Sequence, residues 1–255
     1  MASKASRLRI MAGPNGSGKS TVLSQVRESY YCGPFLNADE IEKSLKTTGF
    51  YDPSSALGLP YHDEDFNTFM NSEGSTWIEK ARTNGLSIGI FSRNGILQTH
   101  QEATAYDGAL AAQFLRKMFI RKGDSFTIET VLSDRSKITL LEDSIKGGFK
   151  NYLYFICTVD PKINLKRVKN RAIQGGHDVP KQKIIERYNR SLLLLKEVIP
   201  LCHRVYFYDN SITREDRKVN LVAEIDPLNK FFCYSDDLPM WLNANVIQPL
   251  FGGLN

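Results

Sequence analysis

Apolar positions fall into five short runs separated by stretches with helical spacing. The runs are Leu8 to Ala12, Phe35-Leu36, Phe126 to Ile128, residues 151–160 (NYLYFICTVD) and residues 204–208. Between them Val22, Leu23 and Val26, and later Leu110, Phe114, Leu115, Met118 and Phe119, recur every three or four residues, the period of one helix face. Helices are therefore predicted over 20–30, from about 39, over 105–122 with Gly123 as the stop, over 134–147, and over 161–198 with a break at Gly175 to Pro180. Strands alternating with helices require crossover connections. The pattern thus predicts an α/β fold with a mostly parallel five-stranded sheet and helices on both faces.

Residues 47–104 interrupt that alternation. Their first part is rich in turn formers and aromatics and has no sustained period; a helix is predicted over 73–84, and Asn94-Gly95 between IGIF and ILQTH predicts a hairpin. The segment reads as an inserted α+β piece. Within it His62, Asp63, Glu64 and Asp65 have metal-ligand side chains, but the run reads better as a solvated acidic loop. After about 217, VNLVAEID and FFCYSD around Pro227 to Lys230 predict a second hairpin, followed by the amphipathic stretch WLNANVIQPLF. The domain reading is one domain over 1–255, with the insertion at about 47–104 and an extension at about 217–255.

The candidate chemistry begins directly behind the first apolar run. Gly13-Pro14-Asn15-Gly16-Ser17-Gly18-Lys19-Ser20 fits the phosphate-loop pattern G-x-x-x-x-G-K-[ST], and Thr21 follows it. Glycines let such a loop turn its backbone N–H groups inward, and the helix opening near Lys19 adds its positive end. Lys19 would bridge the outer phosphates of ATP and the Ser20 hydroxyl would ligate Mg²⁺. Polar residues close three other apolar runs, where ligands bind in parallel sheets. These are Asn37 with Asp39, Glu129 with Thr130, and Asp209-Asn210-Ser211. Glu40 reads as an acid in a first helical turn, whereas Asp39 reads as the carboxylate that takes a proton from an acceptor hydroxyl. Arg167 and Arg171 lie one turn apart on one helix face, and Arg187 and Arg190 follow the glycine break. Two helices joined by glycines and carrying arginines suit a lid over a triphosphate.

Composition narrows this only slightly. The 255 residues are 42% hydrophobic and 24% charged, with a net charge of +5 that suits an anionic ligand. The basic residues are spread along the chain, which argues against a nucleic-acid partner. No apolar run approaches the ~20 residues that span a bilayer, and MASKASR lacks an apolar signal core, so no membrane partner and a cytoplasmic location are expected. Cys32, Cys157, Cys202 and Cys233 lie far apart with no C-x-x-C spacing and read as buried thiols rather than a zinc site or a disulfide frame.

AGPNGSGKST, FLNADEI, SFTIETVLS, RVKNRAIQGGHDVP with IIERYNRSL, and VYFYDNS resemble, in that order, the zeta-toxin-like P-loop kinases, in the branch often labelled predicted ABC-type ATPases. The resemblance covers 7–46 and 105–211. It implies an adenylate-kinase-like core and transfer of the ATP γ-phosphate to a sugar hydroxyl, in zeta toxins the 3′-OH of UDP-N-acetylglucosamine, and with it an antitoxin partner. Carried over by motif, Lys19 holds the β- and γ-phosphates and Asp39 is the general base. Asn37, Glu129 and Thr130 bind the acceptor, and Arg167, Arg171 and Arg187 stabilise the transferring charge. Zeta toxins tend to show Glu-Gly-Thr where this chain has Glu129-Thr130. Two other readings remain at this point: a polynucleotide or nucleoside kinase, which Asn37-Ala-Asp39 also resembles, and an ATP-binding ATPase or switch with no acceptor.

Overall fold

The structure, a computed structural model, describes residues 5–175, 179–212 and 218–252. Its strands are β1 (Arg7–Ala12), β2 (Phe35–Leu36), β3 (Phe50–Tyr51), β4 (Ile90–Arg93), β5 (Ile96–Thr99), β6 (Phe126–Thr130), β7 (Lys150–Cys157), β8 (Arg204–Asp209), β9 (Asn220–Ile225) and β10 (Phe231–Cys233). The main helices are α1 (Lys19–Ser29), α2 (Ala38–Thr48), α3 (Pro53–Leu57), α4 (Asp63–Phe69), α5 (Ser75–Thr83), α6 (Ala105–Lys122), α7 (Ser136–Lys146), α8 (Pro161–Ile173) and α9 (Lys181–Leu193). The chain divides into two compact units, one from residues up to Gly33 together with those from Thr127 onward, the other spanning Pro34–Phe126.

The first unit holds the mostly parallel sheet, with strand order β10-β9-β8-β7-β1-β6. β1 runs parallel to β7, setting Arg9 opposite Tyr152, and β7 runs parallel to β8, setting Tyr152 opposite Arg204. Leu153 to Cys157 are all buried, as expected of a parallel strand covered on both faces. Beyond β8 the sheet turns antiparallel, so the C-terminal hairpin β9–β10 extends the sheet past the five expected strands. Asp226 shapes its turn by accepting from the Leu228 and Lys230 N–H groups at 2.8 and 2.9 Å. Helical turns over 240–251 lay Trp241 against Phe155 and Phe207, with ring centroids 5.7 and 6.4 Å away.

The second unit begins at a capped helix. Asn37 Oδ1 accepts from the Asp39 N–H at 2.9 Å, and α2 ends at Gly49 in the left-handed region. Helix α6 has the predicted bounds, with Thr104 and Asp107 in a capping box and Gly123 as its stop. Asn94 and Gly95 both adopt positive φ between β4 and β5, the two-residue turn that this pair predicts. The stretch before it is more regular than expected, because Asp52 and His62 act as local caps for α3 and α4.

The acidic run there is the first turn of α4 rather than a solvated loop. Asp63 accepts from the Ser92 hydroxyl at 2.5 Å and from the Asn94 and Gly95 N–H groups at 2.8 and 3.0 Å, and Asp65 pairs with Arg121 at 2.8 Å. Phe66 and Tyr61 pack edge-on against Phe114, at 5.1 and 4.9 Å between ring centroids.

Asp107, fully buried, ties this unit together. Its carboxylate accepts from the Gly89, Ile90 and Thr104 N–H groups at 2.8, 3.1 and 2.8 Å and from the Thr104 hydroxyl at 2.8 Å. Asp107→Ala leaves these buried donors without an acceptor, so a loss of about 3 kcal/mol is expected, read from the urea midpoint. A shift under a fifth of that would show that water replaces the carboxylate.

Candidate active site

The loop between β1 and α1 is built by close backbone approach. Gly13 sits at φ 142°, and a Cβ placed there would lie 2.0 Å from the Ile156 carbonyl oxygen, an atom fixed in β7. Gly18 at φ 98° would meet, at 2.2 Å, the end of the Asn210 side chain, which can give way only by leaving the Ser17 carbonyl that it bonds, a smaller loss than moving strand backbone. Gly13→Ala should therefore be the more damaging exchange. It is expected to lower stability by about 3 kcal/mol, whereas Gly18→Ala should cost about 1–2 kcal/mol. Thermal melts of the two variants check this order.

Three tethers hold the loop. The Gly13 N–H donates to the Thr130 carbonyl at 3.2 Å, at the end of β6. Asn164 Nδ2 on α8 donates to the Asn15 carbonyl at 2.7 Å, and Asn210 Nδ2 beyond β8 donates to the Ser17 carbonyl at 2.7 Å. Asn164 is itself fixed, since its Oδ1 is hydrogen-bonded to the Thr158 hydroxyl and the Thr158 carbonyl accepts from the Tyr188 hydroxyl at 2.6 Å. Both amides lie far from the loop in sequence; the polar end of YDNS was a signal for Asn210, and nothing in the pattern marked Asn164.

Lys19, 7% exposed, points back into the loop. Its Nζ donates to the Gly13 and Pro14 carbonyls at 3.0 and 3.2 Å and lies 3.7 Å from Glu129 Oε1. Ser17 Oγ and Asn15 Oδ1 are buried without a hydrogen-bond partner among the described residues. A buried hydroxyl with no acceptor is costly unless something supplies one, and a phosphate oxygen is the acceptor such a loop suits. Ser20 and Thr21 follow in the first turn of α1, with Ser20 exposed.

The other expected residues sort by unit. In the first, Glu129 meets Lys19, while the Thr130 hydroxyl accepts from the Leu132 N–H at 3.1 Å, so its side chain also holds the bend after β6. Arg167 is half-buried on α8; burial lowers its pKa, partly offset by the charge of Asp209. Asp209 is held by the Trp241 indole N–H at 2.8 Å and the Ser211 N–H at 2.9 Å. Arg171 is exposed one turn further on, and Arg187 on α9 is half-buried. Val168, Val179 and Ile184 form one apolar cluster with Leu165, which packs α8 against the start of α9. Gly176, His177 and Asp178 of the expected glycine break lie outside the described residues. In the second unit Asn37 caps α2, and Asp39 and Glu40 are exposed in its first turn.

No family model matches the chain, and no curated protein does. Among solved structures it is similar to the AvrRxo1-ORF1:-ORF2 complex in its native form, with a TM-score of 0.52 at 18% identity over 96% of this chain and 66% of that one. The same complex with ATP gives 0.50 at 15% identity over 90% of this chain and 61% of that one. A structure from the PezAT chromosomal toxin–antitoxin system of Streptococcus pneumoniae gives 0.48 at 13% identity over 100% and 82%. The chain thus spans 61% to 66% of the two AvrRxo1 structures, and likeness at this identity is likeness of fold. The α/β phosphate-loop fold expected from the motifs is the fold found.

Proposed function

We propose, from a chain with the fold of the zeta-toxin-like P-loop kinases, that the protein transfers the γ-phosphate of ATP to a hydroxyl of a nucleotide sugar, with the 3′-OH of UDP-N-acetylglucosamine as the acceptor. The observation that carries the reading is the loop itself: a buried Lys19 ringed by the Gly13 and Pro14 carbonyls and Glu129, beside a buried Ser17 hydroxyl that has no partner among the described residues. ATP present in a structural neighbour supports the nucleotide. In the reaction the acceptor oxygen forms a bond to the γ-phosphorus, the bond from that phosphorus to the β-bridging oxygen breaks, ADP leaves, and Asp39 takes the hydroxyl proton.

Lys19 would move from its own loop carbonyls onto the β- and γ-phosphates, which offer it full negative charge in place of carbonyl dipoles. Ser20, exposed at the start of α1, would hold Mg²⁺, which would supply positive charge against the phosphates. Glu129, Thr130 and Asn37 would hold the acceptor, and Arg167, Arg171 and Arg187 would meet the charge spread over the transferring oxygens. Arginine in that role is worth roughly 10³ to 10⁵ in rate. A toxin role with an antitoxin partner follows from the resemblance in motifs.

Mass spectrometry of UDP-N-acetylglucosamine incubated with protein, ATP and Mg²⁺ tests the reading. A phosphate adduct on the sugar is the expected result. ADP release without an adduct would overturn the acceptor, and the search would then pass to nucleosides and nucleic-acid ends.

A further inference from the structure

At the end of the sheet away from the phosphate loop, the first residues of β1, β7 and β8 line a second cavity of about 230 Å³. Its floor is one face of three parallel strands. Register places Arg9, Tyr152 and Arg204 in one row and Tyr154 beside Tyr206 in the next. Tyr30, just past the C-terminal end of α1, stands at the mouth and is 64% exposed. Arg9 is separated from Gly13 by four residues of chain, roughly 13 Å along a strand.

Arg9 is only 5% exposed, and among the described residues its side chain has neither a hydrogen bond nor an ion pair. Arg204 is paired with Glu224 at 3.2 Å, and Arg7 lies 5.7 Å from the centre of the Tyr152 ring. Burial, with Lys150, Arg204 and Arg7 nearby, holds the pKa of His203 at the rim down, which disfavours a further cation there. The Arg9 guanidinium is covered along its length while its nitrogens stay open to the cavity, with no anion beside them, so it is placed to meet an anion that enters there. Burial pushes the Tyr154 and Tyr206 hydroxyls up, keeping both protonated at neutral pH as donors to the same anion.

We infer that this cavity binds a nucleoside phosphate, with the phosphate against Arg9 and the phenols and the base stacked at the mouth on Tyr30. The volume admits a phosphate and little more, below the ~300–1,000 Å³ of drug-sized pockets, so the base must lie outside. An exposed aromatic ring at that mouth is the surface a base stacks on, and guanidinium with phenol hydroxyls is the donor set a phosphate takes. The site is separate from the phosphate loop and does not depend on the proposed kinase activity. The ligand is either a free mononucleotide or the phosphorylated 5′ end of a single strand.

The test is calorimetric titration of the full chain carrying Lys19→Ala, which weakens the phosphate loop. The probes are uridine and adenosine monophosphates, the parent nucleosides, inorganic phosphate, and a 5′-phosphorylated tetranucleotide. Saturable binding of the monophosphates is expected, falling roughly 10- to 100-fold on adding Arg9→Gln and about 5- to 100-fold on adding Tyr30→Ala. Tyr30 is a surface residue, so its variant reads out even if the Arg9 exchange disturbs the strand. Monophosphate affinity unchanged by both exchanges, or no binding at all, overturns the site. Inorganic phosphate binding as tightly as the monophosphates overturns the nucleoside part. Tighter binding of the tetranucleotide supports the proposal and identifies a strand end as the source.

Discussion

Lys19→Ala is expected to lower phosphoryl transfer about a thousandfold or more, with the protein still folded. The side chain places a cation inside the loop's ring of carbonyls, with Nζ 3.0 Å from the Gly13 oxygen and 3.2 Å from that of Pro14. Removing a single preorganised donor from a reacting centre costs on the order of 10²–10³ in rate, and here a full charge leaves with it. Stability should move little. Glu129 retains 27% of its exposure and can be hydrated once its partner 3.7 Å away is gone, while the three tethers of the loop do not involve the lysine side chain. Single-turnover kinetics with a thermal melt separates the two effects. Turnover within tenfold of wild type would remove Lys19 from the mechanism.

Asp39→Asn should reduce acceptor-dependent turnover by about 10²–10⁴ while leaving ATP affinity unchanged. Asparagine keeps the size of the side chain and can donate where the carboxylate accepts, but it cannot take a proton. The local structure tolerates the exchange, since Asp39 is exposed in the first turn of α2 and its N–H is capped by Asn37 at 2.9 Å. Helix stability will fall slightly through the lost charge near the helix N-terminus. The split between the two constants is diagnostic. A base lowers kcat at constant nucleotide affinity, whereas unchanged turnover of ATP would favour an ATPase or switch with no acceptor.

What could be read from the sequence was what local chemistry dictates. Asn94-Gly95 is a hairpin turn because both residues reach positive φ cheaply, and 105–122 is a helix whose apolar positions recur on one face until Gly123 stops it. The phosphate loop was visible for the same reason: its glycines and lysine act within a few residues of one another. Side chains that act at long range were not visible. Asp107 bonds N–H groups 17 and 18 residues back, and Asn164 and Asn210 reach loop carbonyls 149 and 193 residues away. No period or spacing records such a pairing. The buried Arg9 escaped for a related reason, because an arginine in an apolar strand resembles an edge residue until the register sets it in a row with Tyr152 and Arg204.

The tethers on the phosphate loop bear on the entropy of recognition. With the Gly13 N–H and the Asn15 and Ser17 carbonyls each bonded to a different element, the backbone has little freedom left for a ligand to remove. Nucleotide capture then needs no coupled ordering of the loop, and association can run at the rate of encounter rather than that of a rearrangement. Loss of either asparagine would leave the same residues in the loop and return to it the disorder that each binding event must overcome.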